Sequence, residues 1–129
     1  MAANGLVLRE QRILTRRDLI YYLKITDRKT GEELGRVGDI HTEGMLVLSS
    51  APLPLGLFYK TAVALPKSLA DSVRLKELPL CCETLWSRPG PKNANFYETG
   101  VRFVAADKPQ RIIIEKIIAS FAISGAEAP

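Results

Sequence analysis

Along the chain, the first apolar run long enough for a regular element is "DLIYYLKIT", Asp18 to Thr26, rich in β-branched and aromatic residues and bounded by charge. Such a run predicts a strand. "DRKTGEELG" then supplies a turn around Gly31, and "LGRVGDI" resumes an extended segment, so the two form a hairpin. "MLVLSS", after Gly44, predicts a third strand. The "APLPLG" that follows carries Pro52 and Pro54, which cannot donate to a central ladder, and reads as a loop or edge. "LFYKTAVALP", Leu57 to Pro66, alternates again as a fourth strand. "SVRLKELPLCCETLW", Ser72 to Trp86, is one long extended stretch in which Pro79 marks a bulge or bend. "SRPGPKNAN" is a hairpin loop, and "FYETGVRFV", Phe96 to Val104, returns with Tyr97, Thr99, Val101 and Phe103 on one face.

The period changes only near the C-terminus. In "ADKPQRIIIEKIIASFAISG" Asp107 can cap a helix with Gln110 three residues on, Pro109 is allowed in the first turn, and Gly125 is a natural stop. Ile113, Ile114, Ile117, Ile118 and Phe121 recur at three- and four-residue steps and make one broad apolar stripe. Many short strands followed by one helix predict a mainly β protein. Antiparallel strands of this length close into a small barrel, because closure removes exposed edges. The helix then caps one opening or lies on a flank.

The chain has 129 residues, 47% hydrophobic and 25% charged, which suits one soluble domain with a single core. Its longest apolar stretches are broken well short of the roughly 20 residues a spanning helix needs. "MAANGLVLREQRILTRR" has charges where a signal peptide needs its apolar core, so a cytoplasmic location is expected. Cys81 and Cys82 are neighbours; in a strand they face opposite ways, so they are read as structural and not as metal ligands or a disulfide. Trp86 and Phe103 are expected in the core.

Formal charge is +4, unevenly placed. Arg9, Arg12, Arg16 and Arg17 put four guanidinium groups into nine residues, opposed there only by Glu10. Arginine suits phosphates and the edges of planar bases, since its fork donates two parallel hydrogen bonds and its flat face stacks. The plainer reading is a solvated basic tail. The single histidine, His41, sits in the polar turn "GDIHTEG", where Asp39 can act by capping backbone amides. With one histidine, no paired carboxylates, no metal-ligand cluster and no nucleophile elbow, the chain does not read as an enzyme. A single-strand nucleic-acid barrel needs aromatics exposed along one strand face, and Tyr21, Tyr22 and Tyr97 are too scattered for that.

Four features in order then resemble a known family. "RILTR", Arg12 to Arg16, is an RxxxR element just before the first strand; "DIHTEG", Asp39 to Gly44, resembles the DxSxxG element of PilZ domains, with His41 in the place of the family's serine. "ETLW" and "YETGVRFV" look like the paired late strands, a Trp-bearing strand before a "GxRF" strand, and the C-terminal helix agrees. The likeness runs from about Arg9 to Phe121.

The resemblance implies a six-stranded antiparallel barrel with a C-terminal helix that receives the bacterial second messenger cyclic di-GMP. It implies a flexible N-terminus over 1–8 and one PilZ-like domain over 9–124, divided into an arginine-rich arm at 9–17, a barrel at 18–105 and a helix at 107–124. Arg12 and Arg16 would hold guanine edges and phosphates, Arg17 being a spare, while Asp39, His41 and Gly44 would form the barrel side of the site. The implied function is a receptor or adaptor that passes ligand binding to a protein partner in motility, biofilm or pilus control, without metal or cofactor. The alternative is a PilZ-like interaction module that has lost cyclic di-GMP binding.

Overall fold

A computed structural model describes residues 23–91 and 95–126, with side chains as far as residue 120. The arginines of the arm, the first residues of the predicted strand at Asp18, the centre of the "SRPGPKNAN" loop and the side chain of Phe121 lie outside the described residues. The elements are β1 Lys24–Asp27, β2 Glu33–Ile40, β3 Gly44–Ser49, β4 Phe58–Ala64, helix α1 Lys67–Val73, β5 Glu77–Pro89, β6 Tyr97–Phe103 and helix α2 Lys108–Ala126. The six strands close into an antiparallel barrel in the order β1-β2-β3-β6-β5-β4.

Alternation explains the core. Ile25, Val37, Ile40, Met45, Val47, Val63, Leu78, Leu80, Cys82, Val101 and Phe103 all join the buried cluster. Thr61 and Thr99 are buried with them but bonded, the Thr61 hydroxyl donating to the Leu80 carbonyl at 2.9 Å and the Thr99 hydroxyl to Ser87 Oγ at 3.1 Å, which removes the cost of burying a bare hydroxyl. A crevice of about 10 Å³ between Ile25, Met45, Val47, Cys82 and Val101 has room for one water at most, so the barrel interior is filled.

Helix α2 begins as its sequence predicts. The Asp107 amide donates to Gln110 Oε1 at 2.8 Å and the Gln110 amide donates back to Asp107 Oδ1 at 2.9 Å, a reciprocal cap. Gln110 Nε2 also donates to the Pro79 carbonyl at 2.7 Å, tying the helix start to β5. Ile114 and Ile117 are wholly buried in the barrel core, with Ile113 and Ile118 partly so. The helix does not stop at Gly125 but runs to Ala126. The turn around Gly31 forms as expected: Gly31 has φ +80°, and its amide donates to the Asp27 carbonyl at 2.7 Å.

Two expectations for the middle of the chain are corrected. Ser72 and Val73 do not start an extended stretch; they end α1, which Pro66 precedes and Arg74 closes in the left-handed conformation at φ 58°. Leu69 and Val73, four residues apart, put one apolar stripe of this short helix against the core, beside Leu65 just before it. Pro79 does not mark a bulge either. It stays in register opposite Ala62, and the β5 bulge falls between Thr84 and Trp86.

Candidate functional site

The outer faces of β3, β6 and β5 form a floor of three cross-strand rows. Gly44, Arg102 and Glu83 make one row, Leu46, Gly100 and Trp86 the second, Leu48, Glu98 and Arg88 the third. Over the first two rows lies an open cleft of about 540 Å³, lined also by Asp39, His41, Glu43, Leu85 and Arg88. That volume falls in the range of roughly 300–1,000 Å³ usual for ligand pockets.

Two bulges shape it. On β2 the register slips between Val37 and Asp39, at Gly38; on β5 it slips between Thr84 and Trp86, at Leu85. A bulge adds a residue on one strand and re-aims the side chains beyond it. Hence Thr84 is buried in the barrel while Leu85 and Trp86, in succession, both lie outside. Trp86 is 41% exposed, which corrects its expected place in the core; Phe103 is buried as expected.

The β2–β3 turn brings three of the predicted site residues together. The His41 amide donates to the Gly44 carbonyl at 2.8 Å and closes the turn. Asp39 Oδ1 accepts from the Ile40 amide at 2.9 Å, while its Oδ2 lies 3.6 Å from His41 Nε2, so this carboxylate both braces the turn and borders the cleft. The His41 side chain is 71% exposed and does not fill the cleft. Gly44 is required for its size. It has no positive φ; instead a Cβ there would meet the Val101 carbonyl oxygen of β6 at 2.2 Å. Its smallness lets β3 and β6 pair at the cleft edge.

Trp86, Arg88 and Gly100 were not among the predicted site residues. A Cβ on Gly100 would meet the Trp86 indole at 2.4 Å, so the bare glycine is what lets the ring lie against β6. The Arg88 guanidinium carbon stands 5.0 Å from the ring centroid, within cation–π range. Arg88 Nε donates to Glu98 Oε1 at 2.9 Å, and Arg102 Nε donates to Glu83 Oε1. Both described arginines of the cleft are therefore ion-paired, and Asp39 and Glu43 add negative charge at its rim.

Arg12, Arg16 and Arg17 lie outside the described residues. The point from which they depart is fixed: the Val37 amide donates to the Leu23 carbonyl at 2.9 Å, and β1 runs antiparallel to β2. Leu23 thus stands at the end of β1 where β2 runs on into the Asp39–Gly44 turn. Among the described residues no group of three or more His, Cys, Asp or Glu side chains is placed to hold a metal, and no helix is long and apolar enough to cross a membrane.

Known structures share this architecture. The PilZ domain of YcgR from Escherichia coli with c-di-GMP matches at TM-score 0.60 and 16% identity, over 84% of this chain and 88% of that one. The MrkH–c-di-GMP complex of K. pneumonia matches at TM-score 0.63 and 15% identity, over 81% of this chain and 48% of that one, and MrkH in its apo state matches at 0.60 with the same identity and shares. The chain thus spans about half the length of the MrkH chains, 48%. No protein-family model and no curated protein sequence matches it. On its closed six-stranded barrel, its C-terminal helix and these likenesses, the chain has a PilZ-like fold.

Proposed function

We propose that this protein is a cyclic di-GMP receptor that passes ligand binding to a protein partner, in control of motility, biofilm or pilus function. The observation that carries the reading is the outer cleft of about 540 Å³, bordered by the Asp39–Gly44 turn and by Trp86, on a fold whose structural neighbours include c-di-GMP complexes. Guanine presents O6 and N7 acceptors on one edge and N1 and N2 donors on the other. Arg12 and Arg16, with Arg17 in reserve, meet the acceptors and the phosphates; the Asp39 carboxylate meets the donors. The six residues from Leu23 back to Arg17 span up to about 20 Å when extended, ample to reach the turn from where Leu23 stands. Contact of these arginines with the ligand changes the surface offered to a partner. The protein acts by binding, without chemistry on the ligand.

A second reading, an interaction module that has lost nucleotide binding, draws on two observations. The described cleft arginines are already ion-paired, and Leu55, Leu57, Phe58 and Leu85 are exposed beside the cleft, the backbone of Leu57 bonding to that of Thr84. Calorimetric titration of cyclic di-GMP at moderate salt, with GTP as control, separates the two. Selective binding supports the receptor; absence of heat with either nucleotide moves the assignment to the interaction module.

A further inference from the structure

Arg88 adds a cation to the cleft, and one of its nitrogens is already engaged. Its Nε donates to Glu98 Oε1 at 2.9 Å, and the Glu98 side chain is only 3% exposed although it belongs to the outer face of β6. A carboxylate so buried keeps the partners it bonds, Arg88 among them, because water is not there to replace them. The Arg88 side chain is itself 63% exposed, lines the cleft, and stands over the Trp86 ring. Three things fix that arrangement: the β5 bulge that turns Trp86 outward, the bare Gly100 beneath its ring, and the Glu98 anchor beyond it. A guanidinium held over an aromatic ring has a second planar face to offer a base.

We propose that Trp86, Arg88 and a purine of the ligand form one stacked column, with Arg88 as its middle layer and Glu98 as the positioning residue that holds the guanidinium in place. The proposal rests on the receptor reading and adds to it a stacking subsite built wholly from the barrel. Guanidinium planes stack on aromatic rings and bases alike, and such stacking accepts any purine face, so this subsite contributes affinity while the base edges are read elsewhere.

Trp86 is the only tryptophan in the chain, so its fluorescence reports the column directly. Cyclic di-GMP titrated into the full chain quenches Trp86 saturably. Arg88→Ala weakens binding by roughly 10- to 100-fold. Arg88→Lys, which keeps the charge but not the plane, loses nearly as much, and Glu98→Gln reduces both affinity and quenching while the circular dichroism of the fold is unchanged. Wild-type affinity in Arg88→Lys shows that charge, not stacking, is used, and overturns the proposal; so does undiminished binding in Arg88→Ala. Absence of both heat and quenching with the wild-type chain instead overturns the receptor reading, and the proposal with it.

Discussion

On strand β5, Leu78, Leu80 and Cys82 point into the barrel and are almost wholly buried, whereas Leu85, Trp86 and Arg88, a few residues on, lie outside and line the cleft. The inner row is regular: one residue in two, each apolar, each touching the same core. The outer row is broken by a bulge and set by particular partners, Gly100 under Trp86 and Glu98 beside Arg88. The inner face tolerates exchange of one apolar group for another of its size, because burial is non-directional. The outer face does not, since Trp86 and Arg88 each have a particular neighbour that fixes them. The core that stabilises the barrel and the cleft proposed to bind the ligand thus lie on two faces of the same strands.

That division can be broken from either side. The largest expected effect is on recognition: Arg12→Ala or Arg16→Ala removes measurable cyclic di-GMP binding in calorimetry and leaves the unfolding midpoint where it was. Retained affinity in both variants would show that the arm is not part of the site. On the other side, Ile117→Ala at the wholly buried face of α2 costs roughly 2–5 kcal/mol of stability in urea unfolding, while the folded fraction binds ligand as before. A matching fall in affinity at full folding would mean that the core and the cleft are coupled.

A smaller effect is expected for the thiols. Burial pushes the Cys82 thiol up from 9.0 to about 11, partly offset by its contact with the Thr61 hydroxyl and reinforced by nearby Cys81. The neutral thiol is the form the fold favours, so its contribution is complete below about pH 9 and is lost as pH rises toward about 11. Stability should therefore fall over that window, and Cys82→Ala should remove that part of the slope. An identical slope in the variant refutes the assignment.

The smallest effect concerns His41. Its imidazole shares Asp39 Oδ2 with any guanine donor that reaches the carboxylate, yet the pair is largely exposed and spans 3.6 Å, so the competition is weak. His41→Ser should tighten cyclic di-GMP binding by no more than about fivefold. Weaker binding in the variant would mean that the imidazole contacts the ligand itself.

The two faces also differ in how far they can be read without a structure. The barrel strands and α2 are legible because alternation and the reciprocal Asp107–Gln110 cap are local patterns. Helix α1 is not, since seven residues hold too few repeats to tell a four-residue step from an extended run. Trp86 is misplaced for a related reason. Strict alternation from Thr84 sends it into the core, and only the register with β6 reveals the extra residue at Leu85 that turns it outward. The turn carrying Asp39, His41 and Gly44 is legible as a motif, but the need for Gly44 depends on the Val101 carbonyl of another strand. The Glu98–Arg88 link spans ten positions and follows from strand pairing alone.

The ligand is expected to meet the outer cleft and not the filled barrel. A map of amide and indole NMR shifts as cyclic di-GMP is added decides between the two. Large changes are expected at Asp39, His41, Gly44, Gly100 and the Trp86 indole, with Val37, Val63 and Leu80 almost still. Undisturbed signals around the cleft, or changes concentrated at Leu55, Leu57 and Phe58, would contradict it.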